Sequence, residues 1–325
     1  MSAARASGAP VSGAPVSGAA KAGRWRLRSA QLRAFAARYA GRADGMLGLV
    51  VLVFFGILAL APELFVGPLE TATRASAHAF DAPSAQHLLG ADDLGRDILN
   101  RTVHGARISM TIGLMATVIT LVFGVVVGLV AGYSGGLVDN LLMRIADFFL
   151  VLPTFVLALI LAPVLIEVVG ADAEVMGIRA TLLVIIVVIG ITSWAATARI
   201  IRSQTLSLKE RMFVDRARVV GVGPGRIILR HILPNVMNLI VANAVLTFAS
   251  AVLTETTLSF IGLGDPFQPS WGQILNGAQD SGAAGLGAWW VIAPPAVSVV
   301  LVILAFTLMG NALDDLLNPK SRVRR

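Results

Sequence analysis

Six long runs of apolar residues dominate this sequence. They cover residues 46–66, 108–132, 141–166, 180–201, 236–262 and 288–312. Each run is about 20 to 27 residues long, and a helix of that length, rising about 1.5 Å per residue, crosses a hydrocarbon core of about 30 Å. Only 14% of the residues are charged, against about 25% in a soluble domain. The runs therefore predict an all-α membrane protein with six transmembrane helices.

The charges between the runs predict the orientation of the chain. With the N-terminus in the cytoplasm, six spans place 21 of the 26 Lys and Arg residues on the cytoplasmic side and five on the outer side. Lys and Arg collect on the cytoplasmic side of membrane helices. The sequence therefore predicts a multi-pass protein in a lipid bilayer, with both termini in the cytoplasm.

The ends of the chain have compositions of their own. Residues 1–23 repeat Ser-Gly-Ala-Pro-Val and predict a disordered tail, because small residues and Pro bury too little surface to fold. Residues 24–42 are basic with apolar residues on one helical face, which is typical of a helix on an anionic membrane surface; a solvated basic stretch is the alternative. The predicted regions are 1–45 (tail and basic helix), 46–107 (first span and external loop), 108–320 (transmembrane domain) and 321–325 (basic tail).

Several kinds of chemistry are excluded by residues and motifs that the sequence lacks. It contains no cysteine, so disulfides, thiolate metal sites and Cys catalysis are excluded. The Gly-rich residues 221–225 lack the G-x-x-x-x-G-K-[ST] pattern of an ATP-binding loop. The string GYSGG at 132–136 has the letters G-x-S-x-G, but it follows a long apolar run and does not resemble the strand-to-helix turn of a nucleophile elbow. We therefore expect a chain that is not an enzyme and binds no cofactor, metal or nucleic acid.

The cytoplasmic segment 202–235 has the clearest local pattern of the hydrophilic stretches. A Ser-x-x-Glu capping box at Ser207 predicts a helix start, and Gly221 is a natural helix end. The apolar stripe of that helix is Phe213, Val214, Ala217 and Val220. Pro224 is placed to open a second helix that ends at Pro234. The first helix is too short to be stable alone, so it needs a docking surface, which lipid headgroups, the rest of the chain or a partner protein would provide.

Residues 213–235, FVDRARVVGVGPGRIILRHILPN, resemble the cytoplasmic "EAA" loop of the permease subunits of binding-protein-dependent ABC importers. Further motifs are similar to the oligopeptide, dipeptide and nickel branch of that family. They are HLLGADDLGRD (87–97), GARIS (105–109), GLVAGYSGG (128–136), TETTLSFIGLG (254–264), PSWG (269–272) and LMGNALDDLLNPK (308–320). The resemblance covers about residues 46–320 in one colinear order.

The resemblance implies the MetI-like fold of a type I ABC importer permease in the bacterial inner membrane, which transports peptides or a related small solute. In that family the short helix is a coupling helix that inserts into a groove of the ATPase. The residues that match the loop are Phe213, Val214, Asp215, Arg216, Ala217, Gly221, Ile232, Leu233 and Pro234. The implied partners are a homologous second permease, two cytoplasmic ATPases that use ATP and Mg, and an extracytoplasmic solute-binding protein.

Three positions depart from the family pattern. Asp215 replaces the usual Glu of the loop, Arg216 replaces its usual second alanine, and Leu88 stands where Pro is common. The change at Arg216 leaves the fit to the ATPase groove open.

Glu255 lies well inside the fifth span. A buried charge in a membrane is costly, so a role in the permeation path or in a gate is one hypothesis. The flanking threonines favour a second hypothesis, a structural hydrogen bond between helices.

Two other charged groups carry structural predictions. Arg144 and Asp147 are three residues apart and predict a local ion pair. An outer cluster comprises His87, Asp92, Asp93 and Asp97. Because acidic residues favour helix N-termini, this cluster predicts a capped helix start rather than a metal site.

A secondary transporter driven by an ion gradient is the alternative function. Such transporters often contain inverted repeats and broken helices near the membrane midplane. The sequence shows no convincing internal repeat, and a secondary transporter would leave the cytoplasmic docking helix unexplained.

Overall fold

The computed structural model describes residues 36–170, 173–175 and 178–317. Its helices are α1 (Ala43–Leu60), α2 (Pro62–Val66), α3 (Ile98–Ser134), α4 (Gly136–Val151), α5 (Thr154–Val169), α6 (Ala180–Lys209), α7 (Met212–Val219), α8 (Pro224–Ile227), α9 (Leu233–Leu258), α10 (Trp271–Asp280) and α11 (Trp289–Leu317). The described ranges also contain a 3-10 turn, Ala72–Arg74, two π-helical segments, Ile228–Ile232 and Ser259–Leu263, and a two-stranded antiparallel hairpin, β1 (Glu174–Val175) and β2 (Ile178–Arg179). The predicted tails lie outside these ranges, apart from a helical turn at 36–40.

The described helices account for all six predicted spans. Five are long and apolar enough to cross a membrane, and a sixth is counted when α4 and α5 are taken as one bent span. These two helices meet at 91°. The break falls at Pro153, whose backbone carries no N–H to continue the helix. The all-α membrane fold is thus confirmed, and the predicted third span falls on two helices with a sharp bend rather than on one straight helix.

The second span is longer than its apolar run. Helix α3 begins at Ile98, ten residues before the run, because Asp97 caps it by accepting a 2.9 Å hydrogen bond from the backbone N–H of Asn100. The predicted capping role of the outer acidic cluster is confirmed at Asp97. His87 also contacts this carboxylate, through a 2.9 Å contact of its Nδ1 atom.

Asp92 organises the outer segment that precedes α3. This carboxylate is almost fully buried and accepts hydrogen bonds from the backbone N–H groups of Leu94 and Arg96, both at 2.9 Å. It also pairs with the side chains of Arg96 and Arg101, at 2.7 and 2.5 Å. Asp92 therefore neutralises a buried arginine, a role that the sequence pattern did not predict.

The ion pair predicted between Arg144 and Asp147 is wrong. Asp147 instead pairs with Arg199 of α6, with 2.5 Å between Oδ1 and Nη2. Arg144 is exposed on α4. The prediction considered a local i, i+3 contact, whereas the packing of α4 against α6 brings a distant cation closer.

A stripe of glycines brings α3 and α6 into close contact. Gly124, Gly128 and Gly132 are spaced four residues apart, so they lie on one face of α3. A Cβ atom at Gly128 would lie 2.6 Å from the carbonyl oxygen of Ala198. Such small residues allow membrane helices to approach closely without a hydrophobic driving force. The pairing of α3 with α6 therefore depends on the absence of side chains at these positions.

Replacing Gly128 with alanine should destabilise the helix pair by about 1–3 kcal/mol, because the new methyl group meets backbone that must move. Gly56→Ala is the matched control, since a Cβ atom at this span position of α1 meets nothing within 4 Å. The measurement is thermal unfolding of the purified protein in detergent. Equal melting of the two variants would contradict the close contact between α3 and α6.

Candidate functional site

The cytoplasmic segment begins later than predicted. Helix α6 continues to Lys209, so Ser207 lies inside its last turn and the predicted capping box does not start a helix. Packing explains the difference, because Ile201 and Thr205 are fully buried and keep this end of α6 helical. Helix α7 starts at Met212, after Arg211 adopts an extended backbone conformation without a side-chain cap.

Helix α7 is attached to the membrane domain by a narrow apolar face. Val214 and Ala217 are buried. They pack in a cluster with Leu129, Ile201, Ile227, Ile232 and Val236. Phe213 and Val220 belong to the predicted stripe but are exposed, at 39% and 81%. Only half of the predicted stripe therefore holds α7 in place, and the rest faces outward.

Gly221 ends α7 as predicted. Its φ of +79° lies in the left-handed region, where a Cβ atom costs about 1–2 kcal/mol. The N–H of Gly221 donates to the carbonyl of Arg218 at 2.9 Å, and that of Val222 donates to the carbonyl of Ala217 at 3.0 Å. This pair of hydrogen bonds is a Schellman motif, which satisfies carbonyls at the end of the helix.

Gly221→Val should disturb the end of α7 without affecting membrane insertion. A Cβ atom at this position meets nothing within 4 Å, so the cost comes from the backbone conformation alone, about 1–2 kcal/mol. Gly221→Asn is the control, because Asn tolerates the left-handed region better than a β-branched residue. We expect normal membrane levels for both variants and a larger loss of activity in Gly221→Val. Equal activity would contradict a need for this backbone turn.

The second cytoplasmic helix does not end where the sequence predicts. It opens at Pro224 as predicted, but it passes through Pro234 and forms one helix with the fifth span, ending at Leu263. A π turn, Ile228–Ile232, ends two residues before Pro234. Its wider turn accommodates the proline that would otherwise break the helix.

The polar groups around this π turn are satisfied locally. The side-chain amide of Asn235 donates a 2.6 Å hydrogen bond to the carbonyl oxygen of His231. Ile232 is fully buried in the cluster that holds α7. The predicted loop residues Ile232, Leu233 and Pro234 are therefore the base of the fifth span rather than the end of a separate helix.

The outward face of α7 is apolar with a charged edge. Met212, Val219 and Val220 are largely exposed. Together with Asp215 and Arg216 they line a depression of about 450 Å³. Apolar side chains held on a rigid helix are the typical centre of a protein–protein contact. Arg216 points into the same depression, so the departure from the family pattern falls on the exposed face.

Sequence analysis missed two sets of contacts around α7, which involve side chains of α3, α4 and α6. The guanidinium of Arg202 donates two hydrogen bonds to Asp139, at 2.5 and 2.6 Å. The cations of Lys209 and Arg218 lie 5.9 and 5.7 Å from the centre of the Tyr133 ring. The available signal was the aromatic residue Tyr133 in the sequence GLVAGYSGG, between the second and third predicted spans.

Glu255 lies near the other end of the same helix and is fully buried. Its carboxylate accepts a 2.8 Å hydrogen bond from Ser259 and a 3.5 Å contact from Thr256. The hydroxyl groups of Ser109 and Ser270 complete its surroundings. The carboxylate thus joins three segments: α3, the fifth span and the N-cap of α10.

The serines around Glu255 also bind backbone. Ser109 accepts a 3.1 Å hydrogen bond from the N–H of Trp271, and Ser270 accepts one of 3.2 Å from the N–H of Gln273. Trp271 is fully buried, and its indole N–H donates to the carbonyl oxygen of Thr102 at 3.0 Å. These contacts fix the start of α10 against α3. They support the structural hypothesis for Glu255, while a role in gating stays untested.

Residues 124–323 match the family of binding-protein-dependent transport system inner membrane components. This range covers more than half of the chain and contains both the α7 segment and Glu255. The chain belongs to this family. Its members are non-catalytic permease subunits of ABC importers, so this permease works in a complex with an ATPase and a binding protein.

Curated relatives resemble the permease over most of its length. It is 38% identical over 279 residues to the dipeptide transport system permease protein of Bacillus subtilis (strain 168), covering 85% of this chain and 82% of that protein. The dipeptide transport system permease protein of Alkalihalophilus pseudofirmus is 35% identical over 278 residues, with 85% and 86% covered. The oligopeptide transport system permease protein of Bacillus subtilis is 35% identical over 287 residues, with 88% of each covered.

The α7 segment and the Glu255 cluster are separate features of the permease. They lie towards opposite ends of one 40-residue helix, Pro224–Leu263. No group of three or more His, Cys, Asp and Glu side chains within the described ranges is arranged to hold a metal.

Proposed function

We propose that this permease imports peptides and that α7 is its coupling helix. The named relatives transport dipeptides or oligopeptides, and they align with more than four fifths of this chain. The observation that carries the coupling role is the outward apolar face of α7, Met212, Val219 and Val220, on a helix whose other face is fixed to the spans. Such a helix transmits force because it cannot move independently of the membrane domain.

The complex that we propose contains four further protein subunits. A homologous second permease forms the other half of the path, two ATPases dock below, and an extracytoplasmic binding protein delivers the solute. ATP and Mg belong to the ATPases. The split of 21 to 5 basic residues supports cytoplasmic termini. With that orientation, α7 would lie on the side of the ATPases.

Transport then follows from alternating access. Closure of the ATPases on ATP would push α7, and the buried contacts of Val214 and Ala217 would pass this movement to α3, α6 and the fifth span. Two packed arrangements of the spans would expose the path first to the outside and then to the cytoplasm.

The test is peptide uptake by vesicles that contain the tagged permease and its co-purified partners. The expected result is recovery of ATPase subunits with this chain, together with uptake that stops when ATP is depleted. Transport by this chain alone that is insensitive to ATP depletion would instead support an ion-gradient-driven secondary transporter. The ligand bound to the co-purified binding protein identifies the solute.

A further inference from the structure

Helix α7 is attached to the membrane domain along one line. Val214 and Ala217 are its buried side chains, and their spacing of three residues puts them on the same side of the helix. A helix held along one line rolls around that line when its outer face is pushed. A second contact, away from the line, is therefore needed to fix the orientation of α7.

Tyr133, the penultimate residue of α3, provides such a contact. Its ring packs against the cluster that holds α7, and the guanidinium carbon of Arg218 lies 5.7 Å from the ring centre. Arg218 directly follows Ala217, so its side chain leaves α7 about 100° further around the helix. Among the hydrogen bonds, ion pairs and ring contacts of residues 36–170, 173–175 and 178–317, this is the one that joins a side chain of α7 to another helix.

The same ring also holds the end of α6. The ammonium nitrogen of Lys209, the last residue of α6, lies 5.9 Å from the ring centre. The face of an aromatic ring attracts cations at such distances. The ring belongs to the last turn of α3, where the helix dipole also favours cations. Within the described ranges the hydroxyl of Tyr133 has no hydrogen-bond partner, so the contact depends on the ring face.

We propose that Tyr133 is a positioning residue for the coupling step. Its ring holds the ends of α6 and α7 against the end of α3, so a push on α7 moves the spans instead of rolling the helix. The assignment rests on the proposed function and adds a residue that lies outside the cytoplasmic segment 202–235. Because Val219 and Val220 take no part in the ring contact, binding of the ATPase and transmission of its movement are separable.

The experiment compares Tyr133→Leu with Tyr133→Phe in the complete transporter in vesicles. Leucine keeps an apolar side chain and removes the ring face, whereas phenylalanine keeps the ring face and removes only the hydroxyl. The readouts are the amount of co-purified ATPase, the rate of ATP hydrolysis and the rate of peptide uptake. For Tyr133→Leu we expect normal ATPase binding and continued hydrolysis, with at least about threefold less uptake per ATP, since two cation contacts are lost and one exposed contact changes an equilibrium about two- to fivefold. Tyr133→Phe should behave like the parent.

A second variant, Arg218→Gln, removes the cation that α7 supplies. This side chain is 38% exposed, so its replacement should leave the fold intact and still lower the uptake per ATP. Adding Tyr133→Leu to Arg218→Gln should cause a smaller further loss than Tyr133→Leu causes in the parent, because one of the two contacts is already absent.

Three results would overturn the role of Tyr133. They are normal uptake per ATP in either Tyr133→Leu or Arg218→Gln, an equal loss in Tyr133→Phe and Tyr133→Leu, and a loss of uptake that only follows a loss of bound ATPase. The unmodified parent is measured in parallel. Absence of ATP-dependent uptake in the parent would overturn the proposed function itself, and the role of Tyr133 with it.

Discussion

Replacing Val219 and Val220 together with glutamate should abolish ATP-driven uptake and leave the permease in the membrane. These side chains are 88% and 81% exposed, so they contribute little to the fold of the isolated chain. In a docked complex, two carboxylates would lose water in an apolar contact and would add to the nearby charge of Asp215. Central contacts of this kind contribute about 2–4 kcal/mol, which corresponds to a loss of affinity for the ATPase of at least about 30-fold.

The measurement is co-purification of the ATPase subunits, followed by uptake into vesicles. Val219→Thr with Val220→Thr is the matched control, because threonine keeps the branched shape and adds no charge. The control should retain most of the bound ATPase. If the glutamate variant bound ATPase as well as the parent does, α7 would not be the docking helix, and another cytoplasmic surface would have to serve.

Replacing Glu255 with alanine should cause the largest loss of stability among single substitutions of the fifth span. The hydroxyls of Ser109, Ser259 and Ser270 would lose their shared acceptor inside a closed site, and a cavity would remain. We expect a cost of about 3–5 kcal/mol. Thermal melting of the purified permease in detergent should fall by at least about 5 °C.

Glu255→Gln and Thr257→Ala are the comparisons. Glutamine keeps the volume and one acceptor oxygen, so its loss of stability should be smaller than that of alanine. Thr257 bonds only to its own helix at 2.7 Å, and its removal should change melting little. A Glu255→Ala variant that melts like the parent but no longer transports would favour a gate over a structural role.

The membrane fold and the end of α7 were predictable from the sequence for physical reasons, while the family was predicted from the resemblance of its motifs. A run of 20 or more apolar residues has few alternatives to a membrane helix, and Gly221 occupies a position whose backbone conformation suits glycine. Both features are local. The end of α7 and the number of spans follow from them without knowledge of distant contacts.

The predictions that failed depended on packing between distant segments. The capping box at Ser207 is locally sound, but burial of Ile201 and Thr205 keeps α6 helical past it. Proline usually breaks a helix, so the sequence predicted a helix end at Pro234. In the structure the π turn before it accommodates the proline, and the helix continues. Asp147 forms its ion pair with Arg199, which is 52 residues away in the sequence. Neither spacing nor propensity carries such information.

The helix from Pro224 to Leu263 has a mechanical consequence. Its 40 residues make a rod about 60 Å long. The rod touches the α7 cluster near one end, through Ile227 and Ile232, and the start of α10 near the other, through Glu255. If it tilts as a rigid body by about 10° around its middle, its two ends swing about 5 Å in opposite directions. In the proposed transport cycle the fifth span would then act as a lever, with its fulcrum close to Asn243, where a side-chain hydrogen bond ties it to α6.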